Sequence, residues 1–161
     1  MRNDRFEQLY AEHAQALFGF LSYRTGDSVL AEDLLADTFE RALRARSRFD
    51  PRRASEKTWL YAIALNCLRD HSRRRSTEIR ALERVASGAG PGLTDEMEEV
   101  SDRDLISRNL AVLTEQEREA IALRFGAGLT VPEIAKLTAE PLTTMEGRVY
   151  RALRKLRDAM G

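Results

Sequence analysis

Thirteen of the chain's 26 basic residues fall between positions 41 and 84, against five acidic residues in the same stretch. Arg52, Arg53 and Lys57 lie in a loop before Trp59, and Arg69, Arg73, Arg74 and Arg75 crowd the end of a helix. Such a surface can track a nucleic-acid backbone, and an adjacent loop can hold an unstacked base. Asn66 and Asp70 lie one turn apart on the same helix. They either orient the basic side chains or contact DNA themselves, or they form a buried polar pair. Trp59 reads as core rather than as a stacking platform. A second basic set, Arg148, Arg151, Arg154, Lys155 and Arg157, follows Thr143 and Thr144 on the last helix.

Basic and acidic residues number 26 each, but the balance conceals segregation. The net charge is −5 over residues 1–40, +8 over 41–84, −6 over 85–121 and +3 over 122–161. Alternating blocks imply two basic surfaces aimed at a polyanion, each beside an acidic surface with another task. No catalytic constellation accompanies them. Cys67 and His71, four apart on a helix, have no second pair to complete a metal site, and His13 is distant. Gly88, Gly90 and Gly92 have neither a strand before them nor a P-loop lysine after them. The chain reads as a binding protein rather than an enzyme, without cofactor or metal. No apolar run reaches the roughly 18 residues of a membrane span. Residues 1–10 are charged rather than signal-like, and the lone Cys67 excludes an internal disulfide. The expected setting is the reducing cytoplasm, with no membrane insertion.

The elements that must position these residues are helical. Phe6, Leu9, Tyr10, Leu17, Phe18 and Leu21 recur at three- and four-residue steps, and Gly26-Asp27 breaks the run. Leu30, Leu34, Leu35, Thr38, Phe39, Ala42 and Leu43 form a second stripe. Asp50-Pro51 marks a loop, and Ser55 can cap a third helix through Trp59, Leu60, Ile63, Cys67 and Leu68. Glycine and proline are dense over residues 86–93, and acidic residues follow. The organisation expected is all-α: a helical domain over 1–80, a flexible acidic linker over 81–100 and a helix-turn-helix domain over 101–161. In the last, Leu105, Ile106, Leu110 and Leu113 make a helical face. Thr114 with Glu117, and Thr130 with Glu133, read as two successive capping boxes. A final helix with Met145, Val149, Ala152, Leu153 and Leu156 on one face and the arginines on the other completes the pattern.

Three segments resemble bacterial RNA polymerase sigma factors of the extracytoplasmic-function group. Leu113-Thr-Glu-Gln-Glu-Arg-Glu-Ala-Ile-Ala-Leu-Arg124, followed by Leu129-Thr-Val-Pro-Glu-Ile-Ala135, resembles their promoter-binding C-terminal domain. Ala31-Glu-Asp-Leu-Leu-Ala-Asp-Thr-Phe-Glu-Arg-Ala-Leu43 resembles their polymerase-binding helix. Trp59-Leu-Tyr-Ala-Ile-Ala-Leu-Asn66, with Asp70 and Arg73-Arg-Arg75, resembles their minus-ten segment. The resemblance implies an initiation factor that binds core RNA polymerase and promoter DNA and is commonly held by an anti-sigma factor. It implies docking on core through Asp33, Leu34, Asp37, Phe39 and Arg41, the carboxylates supplying charge and Leu34 and Phe39 apolar contact. It implies minus-ten capture and melting by Arg52, Arg53, Lys57, Asn66, Arg69, Arg73 and Arg74. It implies minus-thirty-five contacts from Thr143, Thr144, Arg148, Arg151 and Lys155. The chain departs from the family pattern where glycine is usual and Ala139 stands, where lysine is usual and Glu146 stands, where serine is usual and Gly147 stands, and where glutamine is common and Ala36 stands.

On the residues alone, the alternative for Asp33 and Asp37 is solvated helix charge, and Leu34 or Phe39 is equally core. A duplex-binding regulator without polymerase leaves the acidic second helix and the N-terminal basic loop idle. A sigma-like interaction protein that has lost DNA reading is the other alternative, with Glu146 and Gly147 as its signature.

Overall fold

Caps decide where the helices begin. Asp27 accepts from the backbone N–H groups of Val29 and Leu30, starting α2 (Ser28–Ala45), while Gly26 at φ 69° closes α1 (Asn3–Thr25). Ser55 accepts from the Thr58 N–H at 3.1 Å and starts α3 (Glu56–Val85). Both expected capping boxes form, Thr114 with Glu117 at α4 (Glu115–Ile121) and Thr130 with Glu133 at α5 (Val131–Thr138). The last helix, α6, is Leu142–Met160. The computed structural model describes residues 1–85 and 111–161, and no strand occurs among them. The expectations for Leu105, Ile106, Leu110 and residues 86–100 fall outside the described residues. Helix α3 runs five residues past the boundary expected at position 80.

Two local features depart from the simple pattern. Helix α4 ends in a π-helical turn, Ala122–Gly126, in which the Ala127 N–H donates to Ala122 O at 2.9 Å. Lys57 is in the first turn of α3 rather than in the preceding loop.

Helices α1, α2 and α3 pack through Leu9, Leu17, Phe20, Leu21, Ala31, Ala42, Leu60, Tyr61 and Leu65, all buried. In the C-terminal half, Leu123, Leu129, Ile134, Met145 and Val149 are buried between α4, α5 and α6. The two halves share one continuous apolar cluster. Polar contacts reinforce this junction. Arg24 at the end of α1 meets Glu119 of α4 at 3.5 Å, and Lys136 of α5 donates to the Arg53 carbonyl. Beyond Leu68 the packing of α3 fades, and every residue from Ser72 to Arg84 is exposed.

Candidate polymerase and nucleic-acid interface

The outward face of α2 is acidic with apolar ends. Asp33, Ala36 and Glu40 are exposed along it, with Val29 and Leu43 also exposed toward its ends. Leu43 belongs to the apolar stripe in sequence, and an apolar residue on such a stripe reads first as core. Leu34 and Phe39 are corrected: both are buried, and Phe39 stands edge-on to Tyr10 with ring centroids 4.7 Å apart. They anchor α2 to its neighbours and present no contact surface. Asp37 and Arg41 are engaged with each other at 3.2 Å, and Arg41 also bonds Asp70 at 2.9 Å. The Asp70 hydrogen bond raises the Arg41 guanidinium further above its ordinary range. Asp70 thus pins α2 to α3 while reaching Arg73 at 3.9 Å. Asn66 is exposed, so the two do not form a buried polar pair.

Arg52 and Arg53 project from the loop over residues 49–55 with side chains 88% and 87% exposed. Asp50 organises this loop, accepting from the Arg52 N–H at 3.0 Å. Trp59 supports it from below: its indole lies 5.0 Å from the Phe49 ring and is partly buried, a core role rather than a stacking platform. Lys57 points toward the C-terminal half, where a Cβ at Gly128 would lie 3.1 Å from its Nζ. It is therefore turned away from the exposed arginines. Arg69, Arg73 and Arg74 are exposed, and Arg69 and Arg73 line a cleft of about 620 Å³ between the halves. Cys67 is buried, and burial pushes its thiol up. Among the described residues no three metal-ligating side chains converge.

On α6 the buried face is Met145, Val149 and Ala152. At 100° per residue the opposite face is centred on Thr143, Gly147, Tyr150 and Arg154, flanked by Glu146 and Arg157 on one side and Arg151 on the other. Tyr150 is 67% exposed there, and helical periodicity alone would have found it. Two of the side chains expected to contact DNA are engaged within the fold. Arg148 makes a paired bond to Glu140 at 2.7 and 3.2 Å and is largely buried. Lys155 donates at 2.8 Å to Glu117, a buried carboxylate that also caps α4. Both cations brace α6 within its own domain. Thr143, Thr144 and Arg151 remain exposed, and the threonines lie inside the first turn of α6.

Comparison with known proteins agrees with this arrangement. Residues 9–78 match the family described as Sigma-70 region 2, and residues 103–156 match Sigma-70, region 4. The RNA polymerase sigma factor CarQ of Myxococcus xanthus is 32% identical, covering 98% of this chain and 90% of its own length. The ECF RNA polymerase sigma factor BldN of Streptomyces coelicolor is 31% identical over 95% of this chain, which spans only 59% of BldN. Among solved structures, CnrH in complex with the cytosolic domain of CnrY superposes with a TM-score of 0.71 at 28% identity, covering 98% of this chain and 89% of that one. No described helix is long and apolar enough to cross a membrane. An acidic helix face and two basic faces on matching family regions place the chain among the ECF RNA polymerase sigma factors, a family of transcription initiation factors.

Proposed function

We propose that this chain directs core RNA polymerase to specific promoters in the cytoplasm, binding core with α2 and melting the minus-ten element with α3 and its preceding loop. The observation that carries this reading is the division of charge between surfaces. The outward face of α2 offers the exposed Asp33, with Glu40 beside it paired to Arg44 at 2.6 Å, a match for a basic protein surface. Arg52, Arg53, Arg69, Arg73 and Arg74 are exposed and supply the polyanion-binding face. Capturing a flipped base costs a few kcal/mol of unstacking, which these phosphate contacts must offset. The exposed face of α6 meets the minus-thirty-five element, with Thr143, Thr144 and Arg151 toward bases and Arg154 toward phosphate. On this reading residues 1–85 form the polymerase-binding and melting domain, and residues 101–161 the upstream reader.

The packed halves are a closed form. The two promoter elements lie about 25 base pairs apart, roughly 85 Å of duplex at 3.4 Å per pair. A compact chain of this length has a radius of gyration of only about 15 Å. The halves must part to touch both elements, releasing the loop that Lys136 holds at Arg53. An anti-sigma factor that favours the closed form would keep the protein off promoters. CnrH, a relative in fold and sequence, was solved with a protein partner.

The test is reconstitution with core polymerase and permanganate probing of unpaired thymines. The wild-type chain should open a bubble at the minus-ten element, and the Arg52→Ala, Arg53→Ala double variant should bind core yet open it poorly. Duplex binding without core binding would point instead to a polymerase-independent regulator.

A further inference from the structure

The exposed face of α6 carries an acceptor where a DNA-reading helix would ordinarily present donors. Glu146 lies in the second turn, is exposed, and forms no ion pair among the described residues. Its position near the helix N-terminus is where recognition helices reach base edges. Gly147 beside it has no Cβ, so the helix backbone can approach the groove closely at this point. The space is not empty in the free protein. The Arg151 guanidinium folds over Gly147, and a Cβ there would come within 3.0 Å of it. Arg148, the cation nearest Glu146 in sequence, is held by Glu140 and leaves the carboxylate unneutralised.

Two bases offer a carboxylate a donor in the major groove, but adenine sets its N7 acceptor beside the N6 amine, so cytosine is the better partner. The carboxylate cannot donate, so it is repelled by guanine O6 and N7, by adenine N7 and by phosphate. It accepts from the cytosine exocyclic N4 amine. We propose that Glu146 is a specificity-determining residue that selects a cytosine in the upstream promoter element, with Gly147 permitting the approach and Arg151 available to a neighbouring guanine or phosphate. This rests on the reading of α6 as the minus-thirty-five reader. It makes Glu146 and Gly147 a changed preference rather than a loss of DNA reading.

The experiment uses the full chain with core RNA polymerase on a pool of promoter fragments randomised over the upstream element, with transcripts sequenced. The wild type should enrich cytosine about tenfold at one position, the size of one good base contact. Glu146→Gln should move that position toward adenine, the partner of a glutamine amide, and Glu146→Lys toward guanine. Other positions should keep their preferences, and the thermal midpoint should hold, since Glu146 makes no side-chain bond among the described residues. Cytosine enrichment unchanged in both variants, or no cytosine preference in the wild type, would overturn the assignment while leaving the sigma reading standing. Transcription with no upstream preference, or no transcription, would instead remove the reading of α6 on which it rests.

Discussion

Replacing Ala139 by glycine should stabilise the protein. Ala139 joins α5 to α6 in the left-handed conformation, φ 56° and ψ 41°, and is the one non-glycine residue with positive φ among those described. The conformation is imposed by a tight helix closure in which the Glu140 N–H donates to Ala135 O at 2.9 Å. An L-residue there costs about 1–2 kcal/mol through the Cβ–carbonyl clash. Glycine relieves this but loses about 0.5–1 kcal/mol more backbone entropy on folding. The net gain is about 0.5–1 kcal/mol. With a urea slope near 2 kcal/mol/M, the midpoint should rise by roughly 0.3–0.5 M. The control is Ala36→Gly, at an exposed position inside α2, where glycine relieves nothing and should cost about 1 kcal/mol. Opposite signs for two alanine-to-glycine changes in one chain cannot come from composition. A lower midpoint for Ala139→Gly, or the same sign for both, would refute the reasoning.

Acid should destabilise the fold in two stages. Burial holds His13 below its ordinary 6.5, and the Arg5 and Arg148 bonds hold Glu56 and Glu140 below 4.5. Burial pushes Glu117 up, but its bonds to Lys155 and the Thr114 N–H outweigh this and leave it below 4.5. Each group binds protons more weakly folded than unfolded, so its contribution is full above those ordinary values and is lost as pH falls through the lower folded ones. Urea midpoints should decline slightly below pH 6.5 and steeply below 4.5, with Glu117→Gln flattening the lower limb. A midpoint that rises on acidification would contradict this. Arg24→Glu should open the closed form, because it sets a third carboxylate against Glu119 and Glu115, now 3.5 and 4.0 Å from the Arg24 guanidinium. Small-angle scattering should show a larger radius of gyration than wild type, and an unchanged curve would place the closure elsewhere.

The local signals were legible in the sequence. Ser55, Thr114 and Thr130 cap by hydrogen bonds that span three residues, so side-chain type and spacing suffice to find them. The helix-turn-helix and the exposed loop arginines were visible for the same reason. What stayed hidden depends on distant neighbours. Whether Phe39 faces core or partner is settled by Phe6 and Tyr10 of α1, about 30 residues away. Lys155 looks like any surface cation until Glu117, 38 residues earlier, is brought beneath it. Arg148 is held by Glu140 across the turn, a pairing that its place on α6 does not reveal. No residue type marks the π-helical end of α4, where Leu123 is buried in the shared core.

The central claim is that the outward acidic face of α2 recruits core polymerase to promoters. It is tested most directly by mapping transcript 5′ ends on host genomic DNA with core polymerase plus either the wild-type chain or Asp33→Lys. Asp33 is exposed and braces no side chain among the described residues, so the variant should keep the wild-type circular dichroism. The account predicts new, sharply defined starts with wild type that largely disappear with Asp33→Lys. Starts of equal strength with both chains would contradict the α2 docking face, and no new starts with either would contradict the promoter-directing role.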